Sequence, residues 1–173
     1  MLLRILFKKY AAFAVALFCV ALLLFGYYLE FYHQLNPCPL CIFQRLCYAI
    51  IFLIYIFYIL GNTSPLAKPL LSIASFSFAG IGCALAGRQT WLQHLPMDKV
   101  PECGPGLEYL LEVYPLFDVL KTVLKGSGDC AETQWVFLNA SIAEWSLFSF
   151  SLIAISHLLL LIQEKRDSKH EGL

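Results

Sequence analysis

Charge is what this sequence has least of. Only 14% of its 173 residues are charged, twelve basic and twelve acidic, against about 25% in an ordinary soluble domain. Intrinsic disorder, a coiled coil and a charged nucleic-acid-binding surface all require charge, so each is excluded. Net charge is zero, which leaves only its distribution informative. No internal repeat or low-complexity segment stands out. Seven cysteines are too sparse for a small disulfide scaffold, yet enough to bring thiol chemistry into question.

What is present is apolar. Hydrophobic residues make up 60% of the chain and aromatics 15%, and mean hydropathy is +0.71. This composition argues against an ordinary soluble enzyme. Four apolar runs, 10–29, 42–60, 69–87 and 145–163, contain a single charge, Arg45. Each approaches the ~20 residues that cross a bilayer as a helix. Backbone in lipid must satisfy its own hydrogen bonds, and none of the runs alternates with period two, so helices are expected and barrel strands are not. Four buried helices of a soluble fold would leave too little polar surface in so short a chain. The basic residues Arg4, Lys8 and Lys9 precede the first run as in a signal peptide. The exit through Gly26, Tyr27, Tyr28, Leu29 and Glu30 lacks a small-x-small cleavage site, so the run is expected to be retained.

Charge placement orients the spans. Arg4, Lys8, Lys9, Lys68, Lys165, Arg166 and Lys169 share one side with three acids, a net of +4. The segment 92–144 carries three basic and eight acidic residues, a net of −5. The positive-inside rule then puts both termini in the cytoplasm. Outer loops follow at 30–41 and 88–144, with Tyr27, Tyr28, Tyr32, Trp91 and Trp145 near the outer interface. The expected fold is all-α: one integral membrane domain over residues 1–173, a four-helix transmembrane bundle. In its second outer loop, Leu107, Leu110, Leu111, Tyr114, Phe117, Leu120 and Leu124 recur at spacings of three and four. They predict a short amphipathic helix, broken at Pro115, that lies on the membrane surface or packs on the bundle ends.

On this map Cys38, Cys41, Cys103 and Cys130 face the outer compartment, where disulfides persist. Cys19, Cys47 and Cys83 fall within spans and read as small buried hydrophobes. Cys38-Pro39-Leu40-Cys41 sits at the mouth of the second span. Its two sulfurs can bond across one turn, and a helix N-terminus stabilises a thiolate. A zinc knuckle uses the same spacing but needs a second close pair or nearby histidines. Static disulfides stapling the outer loops remain an alternative. Arg45 stands one turn after Cys41 with Gln44 beside it. It either snorkels to the interface or supports a Cys41 thiolate and an acceptor's carbonyl oxygen. His94, near the same interface, is a candidate for proton transfer or simply hydrated.

These residues resemble a known family. Cys38-Pro39-Leu40-Cys41-Ile42-Phe43-Gln44-Arg45 is similar to the Cys-x-x-Cys-x-x-x-Arg segment of the DsbB family of bacterial disulfide bond formation proteins. Ser127-Gly128-Asp129-Cys130-Ala131-Glu132 with Gln134-Trp135 resembles its second-loop signature. Gly87-Arg88-Gln89, His94-Leu95-Pro96 and Cys103-Gly104-Pro105 also fit. The resemblance implies an inner-membrane enzyme that reoxidises a DsbA-type periplasmic thiol oxidase. It implies a membrane quinone, ubiquinone or menaquinone, as electron acceptor, and no nucleic-acid partner. By position, Cys103 resembles the thiol that meets the soluble partner, with Cys130 its loop mate. Cys38 resembles the thiol that exchanges with Cys130, and Cys41 the one facing the quinone. Arg45 corresponds to the quinone-side arginine and His94 to a histidine near the quinone. Gln44, also assigned to that side, stands where some members carry an acid. A DsbA-type disulfide lies near about −120 mV, so only a strong oxidant regenerates it, which suits a quinone. Other readings are an enzyme like vitamin K epoxide reductase and a membrane assembly factor with structural loop disulfides. The charge map predicts that an impermeant thiol reagent applied to intact, reduced cells labels the four outer cysteines. An N-terminal tag should stay protected, and external labelling of that tag would overturn the topology.

Overall fold

The computed structural model describes residues 2–61, 67–104 and 106–171, with side chains for 9–61, 69–96, 98–104 and 106–158. In chain order the elements are α1 (Leu2–His33), α2 (Pro39–Leu60), α3 (Ala67–Gln93), α4 (Leu107–Val113), α5 (Leu116–Lys125), α6 (Gly128–Ala131), β1 (Val136–Phe137), β2 (Ala140–Ser141) and α7 (Ile142–Glu171). A 3-10 turn, Met97–Lys99, precedes α4. The four long helices form the bundle: α1 packs on α2, α2 on α3, and α3 on α7. Lys9–His33, Pro39–Leu60 and Pro69–Gln93 are long and apolar enough to span a membrane, and Ile142–Leu158 of α7 is a shorter apolar helix. The protein is an all-α four-helix membrane bundle.

Residue size sorts the faces of these helices. Ala12, Ala16 and Cys19 of α1 and Ala79 and Ala86 of α3 are buried, whereas Phe13, Leu17, Leu24, Leu53, Phe57 and Ile73 point outward. Lipid solvates large apolar side chains as well as protein does, so small residues fill the contacts where close helix approach is gained. Gly82 of α3 lies directly against the Phe150 ring of α7. Phe150 in turn stacks on Tyr48 of α2, with ring centroids 4.0 Å apart and planes 4° from parallel. Several buried polar groups among the spans are paired across helices, while the Ser75 hydroxyl of α3 is buried without a partner among the described residues. Tyr48 donates to the Ser146 carbonyl at 3.2 Å. His157 lies 3.0 Å from the Tyr55 hydroxyl and 2.6 Å from the Ser72 hydroxyl.

Helix ends follow local chemistry. Pro39 occupies the start of α2, where a missing N–H costs nothing, and Cys38 is the cap, its sulfur accepting from the Cys41 N–H. Ser141 and Glu144 form a reciprocal capping box at α7. The Glu144 N–H donates to Ser141 Oγ at 3.2 Å, and the Ser141 N–H donates to the Glu144 carboxylate at 2.6 Å. The spans reach beyond the apolar runs. α3 continues through Arg88 to Gln93, so the second outer loop begins six residues later than the sequence suggests. Arg88 and Gln89 are good helix formers, and nothing breaks the chain before Pro96.

The outer segment bears out the break at Pro115, which caps α5. The faces of α5 differ from the expected stripe. Val119 and Val123 pack inward, while Leu116, Phe117, Leu120 and Leu124 stay exposed. Spacing alone marked one apolar face where the helix has two. The β1–β2 hairpin, with Val136 opposite Ser141, was not anticipated. Its two turn residues, Leu138 and Asn139, take positive φ of 52° and 61°. That is the primed turn matching strand twist, built without its favoured glycine.

The Gly82–Phe150–Tyr48 contact yields a stability prediction. Gly82→Leu overpacks the α3–α7 contact and should cost about 1–3 kcal/mol. Gly80→Leu, where an added Cβ meets nothing within 4 Å, should be near neutral. Thermal unfolding in detergent, read by loss of monodispersity, compares the two.

Candidate active site

Three of the four outer cysteines meet at the N-terminus of α2. The Cys38 and Cys41 sulfurs are 2.6 Å apart, and the buried Cys130 lies beside Cys38. Cys38 therefore stands between two other sulfurs. All seven cysteines are free thiols here. Cys38 and Cys130 are buried and Cys41 is half-buried. Cys103 is the exposed member, so it is the thiol open to water, where the charge map alone placed all four outside. Cys19, Cys47 and Cys83 lie on the spans and outside this group.

The loop carrying Cys130 is tied to the bundle at several points. Arg88 of α3 donates to the Lys125 carbonyl at 2.7 Å and the Leu124 carbonyl at 3.3 Å, the orphan acceptors at the end of α5. Its guanidinium also lies 4.3 Å from the Trp91 ring centroid. Gly126 then turns the chain with φ of 79°, directly against Leu92. The Gly128 N–H donates to the Glu102 carbonyl at 3.2 Å, joining the Cys103 and Cys130 strands of the loop. A Cβ on Gly128 would lie 2.9 Å from both the Cys103 sulfur and the Pro101 carbonyl. That close approach explains a glycine there.

The sulfurs differ in acidity. The Cys38 hydrogen bond holds Cys130 down to about 6, helped by the backbone amides of Ser127 and Leu40 and opposed by burial. Cys38 is pushed up, because it gives its proton to Cys130 and Cys41 and because it is buried. The N-terminal amide of α2 at its sulfur does not overcome those two acceptors. Cys103 is raised by its hydrogen bond to Asp129 and by the negative charges of Asp129 and Glu132.

A cavity of about 510 Å³ opens beside Cys41, between α1, α2, α7 and the segment after Cys130. Its wall is mostly apolar, with Phe18, Leu22, Phe25 and Leu29 from α1. Arg45 also lines it. The Arg45 guanidinium pairs with Glu30 and donates to the Gly26 carbonyl at 3.0 Å, and it lies 5.1 Å from the Tyr27 ring centroid. Gln44 lines the cavity as well, buried and donating to Gln89 at 2.7 Å. Gln89 donates to the Cys41 and Cys38 sulfurs at 3.1 and 3.3 Å. Sequence reasoning missed Glu30 and Gln89 as site residues. The available signals were that Gln89 falls in the Gly87-Arg88-Gln89 segment and sits one turn before the end of an apolar helix.

His94 is not brought into the cavity. It is exposed, donates from Nδ1 to the Thr90 carbonyl at 2.8 Å, and lies 3.8 Å from Glu144. The extra turn and a half of α3 carries it past the cavity rim.

These acidities predict distinct alkylation profiles in the fully reduced protein. Cys130 should show a thiolate midpoint near pH 6, and Cys103 one above the usual thiol range. Asp129→Asn removes the negative charge and replaces one acceptor oxygen by a donor, so the Cys103 midpoint should fall. Mass spectrometry of each cysteine across a pH series of iodoacetamide labelling checks both.

Comparison with known proteins agrees with this arrangement. The family model described as "Disulfide bond formation protein DsbB" matches residues 8–160. "Disulfide bond formation protein B" of Marinobacter nauticus is 42% identical over 149 residues, covering 86% of this chain and 89% of that protein. The protein of the same name from Psychrobacter arcticus is 40% identical over 168 residues, 96% of each chain. That from Hahella chejuensis is 44% identical over 126 residues, 73% of this chain and 76% of the relative. With its four helices, thiol cluster and match along most of its length, the chain belongs to the DsbB family of disulfide bond formation proteins.

Proposed function

We propose that this chain is a quinone-dependent oxidoreductase of the inner membrane that reoxidises a DsbA-type periplasmic dithiol. Both termini then lie in the cytoplasm, and residues 1–173 act as one membrane domain. The observation that carries this reading is the line of sulfurs Cys130–Cys38–Cys41, which ends at the wall of an apolar cavity holding Arg45. A static staple between Cys103 and Cys130 is disfavoured, since Cys130 is buried on Cys38 and Cys103 is at the surface.

The steps are thiol–disulfide exchanges, each an attack by a thiolate. A partner thiolate attacks Cys103 of an oxidised Cys103–Cys130 pair, forming a mixed disulfide and releasing Cys130. The partner's second thiolate resolves that bond and leaves Cys103 reduced. Cys130 reacts as its thiolate, which the backbone amides of Ser127 and Leu40 support. It attacks Cys38 of an oxidised Cys38–Cys41 pair. The Cys38–Cys130 bond forms, the Cys38–Cys41 bond breaks, and the negative charge moves to Cys41. The Cys103 thiolate then attacks Cys130, restoring the Cys103–Cys130 bond and releasing Cys38, so that the Cys38 and Cys41 dithiol holds the two electrons for the acceptor. A quinone in the cavity supplies a two-electron acceptor. The cavity suits such a group in volume, in its apolar wall and in its few polar donors. Arg45 and Gln44 would hold it, with Cys41 at its edge.

The test is oxidation of a reduced DsbA-type protein by the purified chain as ubiquinone or menaquinone is varied. Cys38, Cys41, Cys103 and Cys130 should each be required, with serine variants losing at least about a hundredfold, the usual scale for removing a nucleophile. A Cys19, Cys47 and Cys83 triple serine variant should stay active, and its loss of activity while folded would overturn the assignment. Arg45→Ala should weaken quinone use about tenfold to a hundredfold, the scale of a hydrogen bond to a charged group. Arg45→Lys should restore it in part, because an ammonium lacks the fixed fork. Single-turnover exchange without quinone should be unchanged in both variants. Oxidation independent of quinone would refute the proposal.

A further inference from the structure

Two glutamines face the thiols from inside the bundle. Gln44 on α2 is 4% exposed and Gln89 on α3 is 5% exposed. An amide buried among apolar helices is costly unless its donors and acceptors are matched. Gln44 donates to the Gln89 oxygen at 2.7 Å. That contact engages the oxygen of Gln89 and turns its NH₂ toward the sulfurs, 3.1 Å from Cys41 and 3.3 Å from Cys38. The reverse orientation would set a carbonyl oxygen against sulfurs that are themselves acceptors. A thiolate accepts and cannot donate. An amide locked NH₂-first therefore favours the charged sulfur over the neutral one.

The relay requires such a donor. When Cys130 displaces Cys41, a negative charge appears at the wall of an apolar cavity, where water cannot solvate it. Arg45 is held by Glu30 and the Gly26 carbonyl, whereas Gln89 already touches the sulfur. We propose that Gln89 is a catalytic residue that hydrogen-bonds the thiolate released at Cys41, and that Gln44 is the positioning residue that locks the Gln89 amide in its donating orientation. This assignment rests on the exchange sequence above, in which Cys41 is the leaving sulfur. It also gives Gln44 a task other than direct contact with an acceptor. The remaining ionisable groups around the thiols are Cys38 and Cys130, with Arg45, Glu30, Asp129 and Glu132 on the cavity wall. None of the four wall groups is hydrogen-bonded to the Cys41 sulfur.

The experiment uses the full-length reduced protein in detergent, without quinone or partner. Iodoacetamide labelling of each cysteine is followed across pH by mass spectrometry. Gln89→Leu should raise the Cys41 midpoint by about one pH unit, tenfold less thiolate at a fixed pH below it. Gln89→Glu should raise it further by placing a carboxylate against the sulfur. Gln44→Leu should move it the same way by a smaller amount, since the amide remains but is free to turn. The Cys103 profile should be unchanged in all three and reports an intact fold. If Gln89→Leu does not fold, Gln44→Leu decides. Superposition of Cys41 profiles on the wild type in the folded variants would reduce the pair to a structural link between α2 and α3. A shifted Cys41 profile in a protein whose wild type shows no quinone-dependent oxidation would sink the functional reading, and the catalytic role with it, leaving only the support that Gln89 gives a Cys41 thiolate. Normal quinone-dependent activity with unshifted profiles would sink the glutamine assignment and leave the functional reading standing.

Discussion

Pro39 has no N–H to give and clashes with any helix that would precede it, so α2 must begin at Cys38. That one constraint places a sulfur at the helix cap and puts Cys41 one turn below it, at the membrane boundary. Cys38 then faces the outer loop on one side and the bundle on the other. Because it is buried between Cys130 and Cys41, the proposed exchange along the three sulfurs would need little movement. The remainder of the outer half of the molecule serves to keep those sulfurs in line.

The loop is held by backbone acceptors and tight packing, with little help from surface charge. Arg88 closes the end of α5, Gly126 turns beside Leu92, and Gly128 lets Cys103 and the Cys130 turn approach one another. Val119 and Val123 bury the inner face of α5. Its exposed Leu116, Phe117, Leu120 and Leu124 are left facing outward, in keeping with a helix at a lipid surface. Cys103 remains the part of this assembly that a soluble protein can touch. Asp129 beside it holds its thiol above the usual range.

Within the bundle, polar side chains are few and several are paired across helices: Arg45 with Glu30, Gln44 with Gln89, Tyr48 with Ser146, His157 with Tyr55 and Ser72. The first two pairs border the cavity and the thiols, and the others link helices away from them. A guanidinium within a span costs several kcal/mol if unpaired. Glu30, on α1 and fifteen residues earlier, supplies the compensation. It joins α1 to α2 at the level of Cys41.

The sequence by itself determined the four spans, the all-α class, the break at Pro115 and the cysteine segments. Each of these depends on local chemistry: run length, a missing N–H, or residue spacing along one helix. It also singled out Arg45, a lone charge that an apolar run makes conspicuous. Tertiary structure alone decided which sulfurs touch, because Cys130 lies far along the chain from Cys38 and loop packing brings them together. It alone identified Glu30 and Gln89, ordinary polar residues whose importance lies in what stands opposite them. It took His94 out of the cavity by extending α3, and it buried the Val119 and Val123 face of α5 while leaving the stripe that spacing marks exposed. Periodicity specifies a face only relative to its own helix axis. Which face meets the thiols depends on how the helices are rotated against one another.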